Sequence, residues 1–375
     1  MRITAFRRHI DLHSVERMLQ TMMNVLVAMA VAAGDHSVDL RPDLENIVSG
    51  GGATAALVRI SDGGRTSSAV AGVRDIERGG RPSPDGHFRI GSVTKTFVAT
   101  VVLQLVDENK VRLDDPIDRH LPGLVPGGER ITVRALLNHT SHLYDYMSEP
   151  GYSTNRWRGD ARFRSYQPRE LLEVAFAEKL PEDGKWHYSN TNYVVLGLLV
   201  ERLTGNPYGE EVTRRLLRPL RLRHTVVPGD RSGMPSPHAR GYEPLPALVD
   251  ATRMNPSLDW AAGEMISTAA DLEHFLSALL RGELVSRASL QAMRTTVETG
   301  AGFDYGLGLQ AYRLPCGTVW GHSGELIGYL TFAFRSDAGK SLTLSINPSL
   351  RNPSTEEIMG IAVKVFCGTA GRQNQ

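Results

Sequence analysis

Extended patterns lie near both ends of this 375-residue chain, and helical patterns fill its middle. Residues 53–60 and 67–74 read as two strands joined by a turn at Asp62-Gly63-Gly64. Residues 318–322 and 326–334 read as strands again. The segment 341–346 alternates, with Leu342, Leu344 and Ile346 on one face, after a hairpin turn at Asp337-Ala338-Gly339-Lys340. Residues 34–50 and 355–366 read as helices. From 115 to 265 the chain gives helical segments broken by proline and glycine turns, at 133–138, 169–176, 193–203 and 207–217 among others. Two more helices cover 265–290, the first beginning at Thr268 with Asp271 in its first turn. This order predicts an α/β (α+β) protein in which one sheet is built from both ends, flanked by helices, beside an all-α lobe. The sheet domain is expected in residues 37–115 and 265–375, and the helical domain in 116–264.

Ser92-Val-Thr-Lys95 is the first chemical signal. After Ser92 the apolar residues Phe97, Val98, Val101, Val102, Leu105 and Val106 form one helical stripe that ends near Asn109. Positions i and i+3 share a helix face, so Lys95 can reach the Ser92 hydroxyl. A serine cap before a core helix explains Ser92 and the stripe, but gives no reason for Lys95. The chain has 36 arginines and six lysines, and only Lys95 has serine three residues before it. Lysine is not the generic surface charge here.

Two further constellations follow in order. Tyr188-Ser189-Asn190 comes after a turn at 181–184 and before a helix with Val194, Val195, Leu198 and Leu199 on one stripe. In an extended stretch Tyr188 and Asn190 point the same way. A cation beside a phenol favours the phenolate, so Tyr188 next to Lys95 is a candidate general base for Ser92. The Asn190 amide can hold Lys95 or a substrate carbonyl. Taken alone, Ser-Asn-Thr-Asn is also ordinary N-cap chemistry. His322-Ser323-Gly324 follows Trp320-Gly321 in a strand. Its glycines admit another backbone, which suits a substrate laid along a sheet edge and a strand N–H aimed at an oxyanion. His322 can add a positive or hydrogen-bonding edge. No H-E-x-x-H and no clustered His/Cys set is present, so neither a metal nor another cofactor is expected.

Composition narrows the partners. Net charge is +1 and hydrophobic content is 41%. With no basic block, neither nucleic acid nor an anionic membrane surface is expected as a partner. A small-molecule or peptide substrate and a monomer are expected. Residues 22–33 (MMNVLVAMAVAA) resemble the apolar core and cleavage site of a signal peptide and are too short to span a bilayer. Residues 1–36 are therefore read as a leader or unstructured N-terminus, and the protein as exported; the alternative is an amphipathic helix in a cytoplasmic protein. Cys316 and Cys367 are read either as one bridge or as two buried thiols.

The motifs FRIGSVTKTF, ITVRALLNHTSHLYDY, WHYSNTNYVVLGLLVERLTG, AAGEMISTAADL, YGLGL and WGHSGELIGY stand in order over residues 40–370. With them the chain resembles the serine β-lactamase and penicillin-binding-protein-like hydrolases, class C branch. The likeness runs to exported actinobacterial D-alanyl-D-alanine carboxypeptidases. The resemblance implies an antiparallel sheet and a Ser92 acyl-enzyme. It implies proton transfer shared by Lys95 and Tyr188, and Asn190 on Lys95 or the acyl side chain. His322-Ser323-Gly324 would be the third motif, with an oxyanion hole from the N–H groups of Ser92 and Glu325. It also implies a Cys316–Cys367 disulfide.

The departures bear on substrate. Gln310 stands where those carboxypeptidases carry the arginine that binds a substrate carboxylate, and Glu325 replaces a small hydroxyl residue. The pocket has lost a cation and gained an anion, which disfavours a free-carboxylate substrate. His142 replaces a glycine and Glu264 a small residue, both expected to line the cleft. Ser323, Gly324, Glu325 and Gln310 are the expected substrate-binding residues. The leading expectation is a peptide, amide or ester hydrolase. One alternative is an acyltransferase that passes the acyl group to an amine or alcohol. The other is a β-lactam-binding sensor without turnover.

Overall fold

The computed structural model describes residues 38–152, 159–178, 185–244 and 247–368. The expected leader and the turn at 181–184 lie outside the described residues. Eight strands form the main sheet: β1 (Ala53–Asp62), β2 (Arg65–Gly72), β3 (Val297–Glu298), β4 (Asp304–Tyr305), β5 (Gln310–Leu314), β6 (Gly317–Leu326), β7 (Tyr329–Ser336) and β8 (Ser341–Pro348). Their order is β2-β1-β8-β7-β6-β5-β4-β3, with every neighbouring pair antiparallel.

The two ends of the chain therefore meet in mid-sheet, where Ala56 pairs with Ile346 and Val58 with Leu344. β8 is buried along its whole length because both of its faces are covered. One face sends Leu342, Leu344 and Ile346 against Leu44 and Ile47 of helix α1 (Arg41–Ser49). Ile361 and Val365 of the C-terminal helix (Thr355–Cys367) close the same layer. That last helix starts at a capping box, in which the Ser354 hydroxyl accepts from the Glu357 N–H and the Glu357 carboxylate accepts from the Ser354 N–H. On the opposite face Leu57 joins a larger core.

Helix α2 (Thr94–Asp107) runs through that larger core. The expected single stripe understates its burial: Thr94 to Leu103 and Leu105 are all buried. A helix apolar on every side belongs in an interior. Its threonines are tolerated there because Thr96 donates to the Gly308 carbonyl and Thr100 to the Thr96 carbonyl. Helices α3 (Asn190–Thr204) and α4 (Ala269–Leu280) pack around it, and Phe275 of α4 stacks on Phe97 at 3.6 Å. The final helix, Thr355–Cys367, is α5. Residues 318–334, read as two strands with a gap, form the single ten-residue strand β6 and the strand β7. Strands β3, β4 and β5 carry no strand signal in the sequence reading, and β5 is the one that holds Gln310. No helix among the described residues is long and apolar enough to cross a membrane.

Cys316, in the β5–β6 turn, is disulfide-bonded to Cys367 at the end of α5. The bridge closes a loop of 51 residues. Replacing both cysteines by serine should lower the unfolding free energy by roughly 2–4 kcal/mol, from loop-closure entropy, with the chemistry at Ser92 unchanged. Urea melts of the two proteins measure this; equal midpoints would show that packing alone holds the hairpin to α5.

Candidate active site

Ser92 lies on one 3-10 turn (Gly91–Val93) that leads into α2, and Lys95 sits in the first turn of α2 itself. Because α2 is central, Lys95 is wholly buried. Its Nζ lies 3.0 Å from Ser92 Oγ, 2.7 Å from Asn190 Oδ1 and 2.7 Å from the Ala262 carbonyl oxygen. Burial pushes its pKa down to about 7, against the opposing pull of Asp145 and Asp259. A neutral amine has two N–H donors and one lone pair. The two 2.7 Å acceptors take the donors, and the lone pair is left for the Ser92 hydroxyl. The site can therefore hold a base against its serine without an added group.

Asn190 opens α3 and is held from the other side. Its Nδ2 donates to Asp145 Oδ2 at 2.9 Å, which fixes its Oδ1 towards Lys95. Asp145 is buried, and burial pushes its carboxyl pKa up; the Met147 N–H, then Lys95 and Asn190, oppose that shift. Tyr188 and Asn190 do reach the same lysine, but by different means. The ammonium position is 4.9 Å from the centre of the Tyr188 ring, over its face.

The expected role of Tyr188 as an acidified phenol meets an opposing effect of burial. Burial drives its pKa well above the ordinary tyrosine value; the neighbouring Ser92 hydroxyl only opposes this. Its hydroxyl is buried and makes no hydrogen bond of normal geometry among the described residues. The two shifts run opposite ways, Lys95 down and Tyr188 up, so burial favours Lys95 as the proton acceptor of the two. The sequence shows that a cation stands near the ring, but not that both groups are dry.

The third motif lies on β6. Gly324 lets it approach the Ser92 turn: a Cβ there would fall 2.0 Å from the Ile90 carbonyl oxygen and 2.9 Å from the Ser92 nitrogen. Gly91 answers from the other side, since its Cβ would fall 2.7 Å from the Glu325 nitrogen. The backbones of Ser92 and Glu325 thus run against each other. His322 is buried, its Nε2 2.8 Å from the Tyr305 hydroxyl, and burial lowers its pKa to about 3. Of the two expected roles, a positive or a hydrogen-bonding edge, burial disfavours the first, and the ring hydrogen-bonds Tyr305. Gln310 is buried and its Oε1 accepts the Ser323 N–H at 2.8 Å. Glu325 keeps an exposed side chain, yet protein surrounds it closely enough that burial pushes its carboxyl pKa up.

Three residues near the site were not singled out by sequence. Asp145 is one, and Tyr305 a second. The third is His139, buried with its ring stacked on Tyr188 at 4.2 Å. Its Nδ1 accepts the Ser189 N–H at 3.1 Å, and burial, then Lys95 and His322, hold its pKa well below the usual range. His139 and Asp145 lie within the quoted stretch ITVRALLNHTSHLYDY, but nothing local says they turn towards Tyr188 and Asn190. Of the two residues expected to line the cleft, His142 is exposed in a left-handed conformation (φ 58°). Glu264 faces away: it is buried, bonded to the Tyr208 hydroxyl and to the Gly229 N–H at 2.8 Å. Burial raises its pKa to about 8, and it borders a separate cavity of about 680 Å³ with Tyr208, Trp260 and Arg231. Among the described residues no three His, Cys, Asp or Glu side chains gather where a metal could be held.

More aromatic rings gather around Tyr188. Trp186 lies 6.1 Å from the Tyr188 ring, 5.6 Å from Tyr305 and 6.2 Å from Phe303. Trp186 and Phe303 keep part of their surface open.

Residues 32–358 match the family described as Beta-lactamase. The fold and sequence are similar to a D-stereospecific amidohydrolase from a Streptomyces species, with 38% identity and a TM-score of 0.79, over 88% of this chain and 98% of that one. A D-amino acid amidase from Ochrobactrum anthropi SV3 is 29% identical with a TM-score of 0.73, over 86% and 97%. Penicillin-binding protein 4* of Bacillus subtilis (strain 168) is 30% identical over 305 residues, or 75% of this chain and 65% of that protein. A match over most of the chain, on an antiparallel sheet flanked by helices, makes this protein a member of the β-lactamase family of serine hydrolases.

Proposed function

We propose that this chain hydrolyses amides or esters of D-configured amino acids through an acyl-enzyme on Ser92. The observation that carries the reading is the buried Lys95 amine, 3.0 Å from Ser92 Oγ, whose pKa burial pushes down to about 7. In the proposed first step Lys95 takes the Ser92 proton while Oγ bonds to the substrate carbonyl carbon. The N–H groups of Ser92 and Glu325 would receive the oxyanion. The C–N or C–O bond then breaks as Lys95 returns the proton to the leaving group, with Tyr188 as relay. Water repeats the sequence to release the acid. Asn190 and Asp145 would hold the lysine in place. Gln310, Ser323 and Gly324 would line the strand side of the substrate channel.

D-configuration and an amide bond are supported by the two amidase neighbours, one of them 38% identical over 98% of its length. The aromatic wall of Trp186, Tyr188, Phe303 and Tyr305 supports a bulky apolar side chain next to the carbonyl. A D-alanyl-D-alanine carboxypeptidase activity is less well supported. Gln310 is engaged with the Ser323 N–H, and Glu325 forms no ion pair among the described residues.

The test is to incubate the protein with D- and L-phenylalanine amide and methyl ester, following product release and, by mass spectrometry, adduct on Ser92. Expected are a transient Ser92 adduct and faster release from the D-forms. Release only when an amine is added would select an acyltransferase. No adduct and no release from any of the four would overturn the reading.

A further inference from the structure

The segment from Trp260 to Met265 has two sides. With one it holds the turn that carries Ser92. The Ala262 carbonyl accepts from Lys95 Nζ at 2.7 Å, the Met265 N–H donates to Thr94 Oγ1 at 3.2 Å, and the Met265 carbonyl accepts the Ile90 N–H at 3.0 Å. Gly263 allows this closeness, since a Cβ there would fall 3.6 Å from the Gly91 carbonyl carbon. With the other side it borders the cavity of about 680 Å³. There the Glu264 carboxyl bonds the Tyr208 hydroxyl and accepts the Gly229 N–H at 2.8 Å. Trp260 packs edge-on against Tyr208, with ring centres 4.7 Å apart.

Trp260 has a φ of 35°, a conformation that bulky residues rarely adopt and that persists only where the surroundings hold it. Ala262 therefore sits between a strained residue and a clamped one. The clamp is polar where packing alone would favour an apolar side chain. Burial raises the Glu264 pKa to about 8, and Arg89, the charged group acting on it, pulls the other way more weakly.

We infer that Glu264 is a positioning residue for Lys95: by tying the far side of this segment to Tyr208 and Gly229, it keeps the Ala262 carbonyl on the amine and water away from it. The inference rests on Lys95 acting on Ser92 in the acyl-enzyme reading. Burial is the largest influence on Lys95, and Asp145 and Asp259 oppose it. The Tyr188 and Tyr193 rings lie 4.9 and 5.5 Å from its amine, and His139 and His322 are within its electrostatic reach. None of these groups moves when Glu264 is replaced, but the segment does. A loosened segment admits water, which relieves the burial, so the amine stays charged to higher pH.

The experiment follows single-turnover acylation by D-phenylalanine methyl ester against pH, per folded molecule, in the wild-type protein, Glu264→Ala, Glu264→Gln and Tyr208→Phe. Glu264→Ala should move the midpoint up by about one pH unit, which is about a tenfold loss of rate at pH 6. Tyr208→Phe removes one of the two bonds and should move it the same way by less. Glu264→Gln keeps an oxygen for the Gly229 N–H and an N–H for the Tyr208 hydroxyl, and should hold the wild-type midpoint. If Glu264→Ala does not fold, Tyr208→Phe decides. A rate lowered equally at every pH, with the midpoint unmoved in Glu264→Ala and Tyr208→Phe, would overturn the inference. So would a midpoint that moves as far in Glu264→Gln as in Glu264→Ala. Mass spectrometry of wild-type Ser92 separates the two levels. Labelled Ser92 with unmoved midpoints sinks this inference alone, whereas Ser92 that no ester labels sinks the acyl-enzyme reading and this inference with it.

Discussion

Lys95→Met should slow acylation of Ser92 by about 10³-fold or more and leave the protein folded. The substitution removes the one group placed to take the serine proton, while methionine keeps much of the buried chain. Asn190 Oδ1 and the Ala262 carbonyl each lose a donor, which costs about 1–3 kcal/mol apiece. Against this stands the cost already present in burying an amine, visible in its lowered pKa. The two effects oppose each other, so the melting temperature should move far less than the rate. In the wild type the same amine sets the pH profile. Its folded pKa is depressed, so it becomes neutral, and able to act as a base, as pH rises through about 7. Acylation should therefore climb across that value and level off above it. Tyr188→Phe should lower the plateau without moving the midpoint. Single-turnover acylation of a D-amino-acid ester from pH 5 to 9 reads all three proteins. A flat profile, or Lys95→Met within tenfold of wild type, would remove lysine from the role of base.

Gly324→Ala should lower acylation by about 10²-fold or more, out of proportion to its effect on stability. The added methyl group would meet backbone on both sides, the Ile90 carbonyl at 2.0 Å and the Ser92 nitrogen at 2.9 Å. No side chain can turn aside to make room, so strand β6 and the Ser92 turn must part. Any oxyanion donors carried by those two segments part with them. Overpacking of this kind also costs about 1–3 kcal/mol of stability. Gly321→Ala is the control on the same strand. Its Cβ would meet the Ala333 carbonyl at 1.9 Å, on β7 and away from Ser92. Both variants should be destabilised, but only Gly324→Ala should lose acylation per folded molecule. Equal losses in the two would place the effect in the sheet as a whole.

What the sequence made legible follows the range of each interaction. Ser92 and Lys95 were readable because a helix sets i and i+3 on one face, whatever surrounds it. The alternation of Leu342, Leu344 and Ile346 was readable because β8 is long enough to show its period. Strand β5 was not, since its five residues include Gln310 and Arg313 and show no clean alternation. Strands β3 and β4, two residues each, are made by pairing and carry no pattern of their own. The interrupted reading of β6 came from its Gly-His-Ser-Gly stretch, whose last glycine is required by packing against the Ser92 turn. Asp145, His139 and Tyr305 escaped notice because their partners lie 17 to 50 residues away or more. The opposite pKa shifts of Lys95 and Tyr188 escaped for a related reason. Charge can be counted along a chain, but dryness is a property of the folded interior. Glu264 shows the same limit, since an unusual residue in a motif can face either side of the wall it belongs to.

The pairing of β1 with β8 also sets a timetable. Ala56 meets Ile346, a separation of 290 residues. At a synthesis rate of about 5–20 residues per second, the second partner is made roughly 15–60 s after the first. During that interval the β1–β2 hairpin has one edge unpaired and Leu57, Val58 and Ile60 without their final neighbours. Such long-range closure slows folding and leaves sticky strand edge exposed until the chain is almost complete. A newborn chain of this architecture thus depends on whatever shields that hairpin while it waits.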